Sequence, residues 1–339
     1  MMEATRLPAP YSLTEAIKMF NLKKKNKMKF KLNIKKGLGI LVMVIIANAS
    51  FAQQDPMYTQ YFFNSQTVNP AYAGTWESLG FMALARQQWV GWDGAPRNYT
   101  FSMQAPMSNN KVALGLNVIS DNVFKEKKFG LWGDYSYRVK VTNETSLRMG
   151  LKAGFTNYSN NLTEYAIVDA NDPLFQGDLE NKFLPNFGVG LFMYNQRYYV
   201  GLSVPKLLHN EMEGDNPNNF SVEADFRHYY LEGGLVFDVG QNMKFKPTFM
   251  TKAVQGAPVQ LDLTANFLFN ERLWLGAMWR SNDSFGAIAQ WIFGNDLRIG
   301  YAFDFSTTKL QNYHSGTHEI MVSYELRTLK ELVTSPRYF

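Results

Sequence analysis

The sequence predicts an all-β fold: a transmembrane antiparallel β-barrel of about 14 strands, of the outer-membrane type, with an N-terminal segment outside the barrel wall. Two stretches show the alternation that predicts it. In VQLDLTANFLFN, Leu261, Leu263, Ala265, Phe267 and Phe269 fall on one face, and Gln260, Asp262, Thr264 and Asn266 on the other. In LRIGYAFDF, Leu297, Ile299, Tyr301, Phe303 and Phe305 oppose Arg298, Gly300, Ala302 and Asp304. Side chains on a strand alternate faces with period two, so each segment has one wholly apolar, aromatic-rich face and one that carries charge. A soluble sandwich also alternates, but these segments are as long as a tilted strand needs to cross a bilayer. The third observation is an export signal at the front of the chain.

Lys29, Lys31, Lys35 and Lys36 precede the apolar run GLGILVMVIIANA, which leads to Ser-Phe-Ala and ends at Ala52. A basic region, a short apolar region and a small-x-small site form a secretory signal, too short for a spanning helix. Residues 1–52 are therefore expected to be removed, with 1–27 read as an upstream-start artefact, because a typical signal begins at Met28. Cleavage after Ala52 removes ten Lys/Arg and two acids, leaving 24 basic and 27 acidic residues. The pI of 9.0 belongs to the uncleaved chain and is no argument for nucleic acid. No later stretch is apolar for eighteen residues, and the mean hydropathy of −0.26 is what alternating strands produce. The absence of cysteine excludes a disulfide framework, thiol catalysis and thiolate metal sites.

Residues 53–78, QQDPMYTQYFFNSQTVNPAYAGTWES, do not read as a strand. They are rich in Asn, Gln, Pro and small residues, with aromatics interspersed, and suit either a plug in the barrel mouth or a segment beneath it that meets a periplasmic partner. The barrel then occupies 79–326. Strands are expected near Leu79–Val90, Asn98–Ala105, Lys111–Ser120, Phe129–Val141, Thr145–Tyr158, Asn186–Tyr194 and Arg197–Val204 in the first half. The second half holds Arg227–Val239, Met243–Ala253, Val259–Phe269, Arg272–Arg280, Ser284–Phe293, Leu297–Ser306 and Thr317–Leu326. Every second connection is tight, as at Asn195–Gln196, Asn270–Glu271 and Gly294–Asn295, whereas both long loops, Ser159–Pro185 and Pro205–Phe226, fall in the other set. Short periplasmic turns and longer external loops then put both chain ends in the periplasm, with 327–339 as a periplasmic tail.

Charged positions Arg138, Lys140, Arg148, Lys152, Asp262, Arg298, Asp304, Glu319 and Glu325 are expected to face the lumen, because ionised groups in lipid cost a few kcal/mol each. Aromatic residues Trp89, Trp92, Trp132, Tyr194, Tyr198 and Tyr199 read as interfacial girdles. His314 and His318 are four apart, but Ser-Gly-Thr between them is a loop-to-strand junction rather than a helix. Gly214–Asn219 and Asp169, Asp172 and Asp178 offer oxygen ligands, with a solvated loop the favoured reading over calcium. No cofactor motif and no metal site is expected. No hydrolase elbow or paired nucleophile and base is present in the sequence, so no catalytic activity is expected.

Several long segments in order resemble one family. They are DPMYTQYFFNSQTVNPAYAG, RQQWVGWDGAPRNYTFSM, PNFGVGLFMYNQRYYVGLSVPKLL, RHYYLEGGLVFD, the run from Lys246 to Ser281, LRIGYAFDF and SGTHEIMVSYEL. Together they resemble the PorP/SprF membrane proteins of the type IX secretion and gliding machinery of Bacteroidota, from about Gln53 to Leu326. The resemblance implies a non-enzymatic outer-membrane protein that works with type IX machinery to export or hold a large surface protein bearing a type IX C-terminal domain. Its other partner is outer-membrane lipid, not nucleic acid. The motif residues so implied are Asp55, Pro56, Gln60, Asn69, Pro70, Ala71, Tyr72, Ala73 and Gly74, with Trp89, Gly91, Trp92, Gly94 and Pro96 in a first external loop. The runner-up from topology alone is a passive channel or hydrophobic-solute transporter, since a barrel of this size encloses a lumen.

Overall fold

The computed structural model describes residues 55–107, 110–165, 178–213 and 221–326. The strands are β1 (Leu79–Gln87), β2 (Arg97–Pro106), β3 (Val112–Val123), β4 (Glu126–Lys140), β5 (Ser146–Asn160), β6 (Leu179–Tyr194), β7 (Tyr198–Val204), β8 (Asn210–Glu213) and β9 (Ser221–Asp225). They continue as β10 (His228–Leu235), β11 (Phe237–Asp238), β12 (Met243–Val254), β13 (Gln260–Phe269), β14 (Leu273–Arg280), β15 (Ser284–Phe293), β16 (Leu297–Ser306) and β17 (Thr317–Leu326). Each wall strand pairs antiparallel with its neighbours; β1 joins β17, and β10 joins both β7 and β12, so the sheet closes on itself. β10 and β11 keep one register against β12 and form a single strand interrupted at Val236. The wall is thus a closed barrel of 14 strands, and closure leaves no ladder edge in lipid.

The alternation orients every strand. On β13 the buried residues are Asp262, Thr264, Asn266 and Leu268, while Leu263 and Phe267 are exposed. On β16 Ala302, Asp304 and Ser306 are buried and Ile299, Tyr301 and Phe305 exposed. A soluble core has the opposite polarity. Here the polar face is the dry one and the aliphatic and aromatic face is the outer one, as a bilayer requires.

The turns explain the connectivity. Asn270 and Glu271 between β13 and β14 have φ of 49° and 54°, the left-handed pair of a two-residue hairpin that follows the sheet's twist. The short set joins β2 to β3, β4 to β5, β6 to β7, β11 to β12, β13 to β14 and β15 to β16 at one end of the barrel. The other end carries, among the described residues, 88–96, 161–165, 205–213, 221–227 and 307–316.

Three details depart from the sequence reading. β6 begins at Leu179, seven residues before the expected Asn186, and β8 pairs with β9 in a hairpin inside a stretch expected to be loop. Lys140 keeps the parity of the inward residues Asp134 and Ser136 but is exposed at the last position of β4. Trp132, Tyr194 and Tyr199 are not girdle residues: they are 3%, 4% and 3% exposed and lie inside the barrel. Inward aromatics are needed because the lumen is filled, as follows.

Candidate functional site

Residues Asp55 to Ser78 lie within the barrel. Their hydrogen-bond partners sit on β1, β2, β4, β5, β10, β12, β14, β16 and β17, that is, all around the closed sheet. A segment bonded to every side of a cylinder is inside it. It has three short 3-10 turns, Tyr61–Phe63, Ser65–Thr67 and Pro70–Tyr72, and otherwise no repeating structure. The side chains of Thr59, Asn64, Ser65, Gln66 and Asn69, and parts of its backbone, therefore find partners in the wall.

Four wall stations hold it. The Arg86 guanidinium bonds Asp304 at 2.8 Å and Glu319 at 3.1 Å, and Glu319 accepts from the backbone N–H groups of Thr59 and Gln60, both at 2.9 Å. All three charged side chains are at most 3% exposed, so removal of one partner strands a buried charge. Glu232 accepts from Ser65 Oγ at 2.6 Å and from Asn69 Nδ2 at 3.4 Å. Arg148 donates to the Gly74 carbonyl at 2.8 Å and to Ser136 Oγ at 3.0 Å, and Ser136 Oγ donates to the Ala73 carbonyl. Arg280, paired to Asp262 at 2.8 Å, donates to the Tyr58 carbonyl at 3.2 Å.

The NPAYAG motif sits in the tightest contact. Asn69 caps the third 3-10 turn by accepting from the Ala71 N–H at 3.0 Å, with Pro70 at the first turn position where no N–H is needed. Its amide donates onward to the Leu191 carbonyl at 3.1 Å. This approach requires glycine in the wall: a Cβ at Gly190 falls 2.1 Å from Asn69 Oδ1, and one at Gly150 falls 2.2 Å from the Ala71 nitrogen. Tyr72 meets Phe192 edge-on at 5.4 Å, and Phe192 stacks on Tyr199. The Tyr72 hydroxyl oxygen accepts from Trp76 Nε1 at 3.1 Å. Pro56 lines a cavity beside this segment, and Gln60, Asn69, Pro70, Ala71, Tyr72, Ala73 and Gly74 are all buried.

Asp55 is at the long-loop end. Its carboxylate lies 3.2 Å from Lys206 Nζ, just past β7, and its carbonyl accepts from Lys252 at 3.1 Å. Burial works against that carboxylate, but the Lys206 and His228 charges outweigh it and hold its pKa below the usual carboxylate range. Leu79, where the segment joins the wall, pairs with Leu326 at the short-turn end. The segment thus runs the length of the lumen, and the first and last described residues lie at opposite ends of the barrel. The expectation of both chain ends in the periplasm falls on residues outside the described ones; the strand count behind it did not include this passage through the lumen.

The first loop forms a separate group on the long-loop rim. Trp89 and Trp92 are 5.8 Å apart; Trp89 meets His314 at 6.3 Å and Trp92 meets Tyr313 at 6.0 Å. Gly91 and Gly94 have φ of 100° and 75°, which turn the loop, while Pro96 accepts from the Gln88 N–H at its carbonyl. His318 bonds the outward-facing Tyr301 hydroxyl at 2.6 Å, so the two histidines have different partners. Asp178 accepts from Thr163, whereas Asp169, Asp172 and Gly214–Asn219 lie outside the described residues. Among the predicted lumen charges, Arg148, Lys152, Asp262, Asp304, Glu319 and Glu325 are buried, and Arg298 and Arg138 pair with Glu325 and Glu77. Sequence reasoning missed Arg86 and Glu232, both inward on alternating strands. It also missed Lys246, whose ammonium lies 4.9 Å from the Phe62 ring and 5.7 Å from that of Trp274.

The model of the type IX secretion system membrane protein PorP/SprF family matches residues 50–324, which includes the lumen segment and nearly the whole wall. The chain belongs to the PorP/SprF family. No curated protein sequence matches it. Among solved structures, it is similar to the Ralstonia pickettii toluene transporter TbuX at 10% identity, TM-score 0.49, covering 78% of this chain and 93% of that one. A Pseudomonas aeruginosa FadL homologue matches at 12% identity, TM-score 0.44, with 83% and 96% covered. The Acinetobacter baumannii outer membrane protein Omp33 matches at 10%, TM-score 0.43, with 74% and 99% covered. The PorP/SprF chain is an outer-membrane β-barrel of the type IX secretion system.

Proposed function

We propose that this PorP/SprF chain is a non-enzymatic component that binds a large secreted surface protein through that protein's C-terminal domain and helps export or anchor it. The observation that carries the reading is the filled lumen. A barrel occupied from end to end by its own buried, hydrogen-bonded segment presents rims and loops to other molecules, rather than a passage for solutes. The long-loop end then faces outward, with Asp55 at the external mouth and Leu326 at the periplasmic face. In this orientation Leu326, at the short-turn end, is the last described wall residue on the side of the periplasmic components of the machinery.

Deletion of the gene, followed by mass spectrometry of proteins shaved from the cell surface, tests this. The expected result is selective loss of one or a few very large surface proteins. An unchanged surface proteome, together with steady single-channel conductance of the purified barrel, overturns it in favour of a channel.

A further inference from the structure

The outer face of the wall is almost free of charge, and its exceptions lie together. Outside the bulge of β6 opposite Ser159, the outward positions of the 14 wall strands carry two basic residues and no Asp or Glu. The two are Arg97, the first residue of β2, and Lys127, the second of β4. Arg97 pairs in register with Asn122 of β3, and Asn122 pairs with Lys127, so the three form one row at the long-loop rim. With strands ~4.8 Å apart, the two cations stand roughly 10 Å apart at the backbone, close enough for both long side chains to converge on one group. Both are exposed, and neither has a hydrogen bond or ion pair among the described residues. At the short-turn rim the same face shows Val139, Phe237, Phe293 and Leu326, exposed and uncharged.

The next row toward the middle of the wall is Tyr99, Ser120 and Phe129, and the one after it begins with Phe101. Tyr99, Phe101 and Phe129 are all exposed. Two cations above a column of apolar rings match an amphiphile with an anionic head and acyl chains. A free anion would use only the cations, and a soluble acidic partner would not follow the rings down into the lipid belt. Ionised groups on the lipid face are costly toward the midplane, so a pair placed at the rim meets headgroups. Arg presents a planar fork that fits phosphate bidentately, and Lys adds a point charge. The protein supplies little countercharge of its own. Glu126 is held by Lys128 and Glu164 by Lys125, while Asp93 and Glu180, both exposed nearby, pair with neither Arg97 nor Lys127.

We infer that Arg97, Asn122 and Lys127 bind the phosphate of a glycolipid in the outer leaflet, whose acyl chains lie along Tyr99, Phe101 and Phe129. This rests on the orientation given above, with the long loops outward, and not on the identity of the exported protein.

Native mass spectrometry of the purified full-length barrel, titrated in detergent with diphosphoryl lipid A, tests the site. One retained lipid is expected, with affinity reduced about ten-fold or more in Arg97→Gln/Lys127→Gln, since charge-assisted hydrogen bonds are lost. Each single variant should lose less. Lys309→Gln, which removes an exposed charge from another long loop, should bind as wild type does. Lipid A stripped of its phosphates should bind wild type and double variant alike. Heat-dependent migration checks that each variant is folded. Equal affinity of the double variant, or an equal loss in Lys309→Gln, overturns the site. Displacement of the lipid by an equal concentration of inorganic phosphate overturns the lipid in favour of a free anion. Orientation is read separately: the chain has no cysteine, so Asp93→Cys carries a single thiol, which should react with an impermeant maleimide on intact cells. Reaction only after the outer membrane is opened overturns the outer-leaflet source. The surface proteome of the deletion strain bears on partner binding alone.

Discussion

Within one chain, the wall and the segment inside it satisfy their backbone groups in different ways. In the wall, β1 to β7 and β10 to β17 exchange N–H and C=O groups along ladders that any alternating sequence of the right length can form. Between Asp55 and Ser78 the backbone closes short turns on itself and elsewhere bonds to particular side chains, such as Glu319 for Thr59 and Gln60, Gln104 for Gly74, and Arg148 and Ser136 for the carbonyls of Gly74 and Ala73. The wall is specified by pattern and tolerates substitution within the pattern. The inner segment is specified residue by residue, each against a partner far away in sequence. That difference predicts where single changes do most damage.

The largest effect is expected from Glu319→Ala. It removes the acceptor of two segment N–H groups and leaves Arg86 buried with half its countercharge, a loss of about 3–5 kcal/mol. Reversible unfolding in lipid vesicles measures it, and stability equal to wild type would mean that the segment is not held as described. Next comes Leu263→Arg on the outer face of β13, expected to cost about 2–4 kcal/mol near the bilayer midplane. Here wall and segment should be lost together in that assay, and a change in the segment alone contradicts the orientation of β13. The smallest is Gly190→Val, where the added side chain meets Asn69 and overpacking costs about 1–3 kcal/mol. It should leave the barrel folded but expose the segment to protease. Continued protection of the segment would show that the contact between Gly190 and Asn69 is not what seats it.

The contrast also explains what was legible beforehand. Leu263, Phe267, Tyr301 and Phe305 declare the outer face by alternation alone, and paired turns such as Asn270–Glu271 declare the hairpins. The NPAYAG segment was legible as non-strand and as a family motif, but its composition suited a place inside or beneath the barrel equally well. Trp132, Tyr194 and Tyr199 were misread as girdle residues because an aromatic side chain near a strand end has the same local signature whether it faces lipid or a filled lumen. Arg86 and Glu232 carried no local signal at all, since each stands singly on its strand and gains its meaning from Glu319 and Asp304, or from Ser65 and Asn69.

By itself the sequence determined the barrel: period-two alternation and turn chemistry are local properties, and closure follows because open edges are too costly in lipid. Only the tertiary structure decided that the N-terminal segment threads the lumen from the long-loop end, and which wall residues grip it. That placement depends on charges and glycines scattered over 233 residues of sequence, from Arg86 to Glu319, which become neighbours only when the sheet closes around the segment.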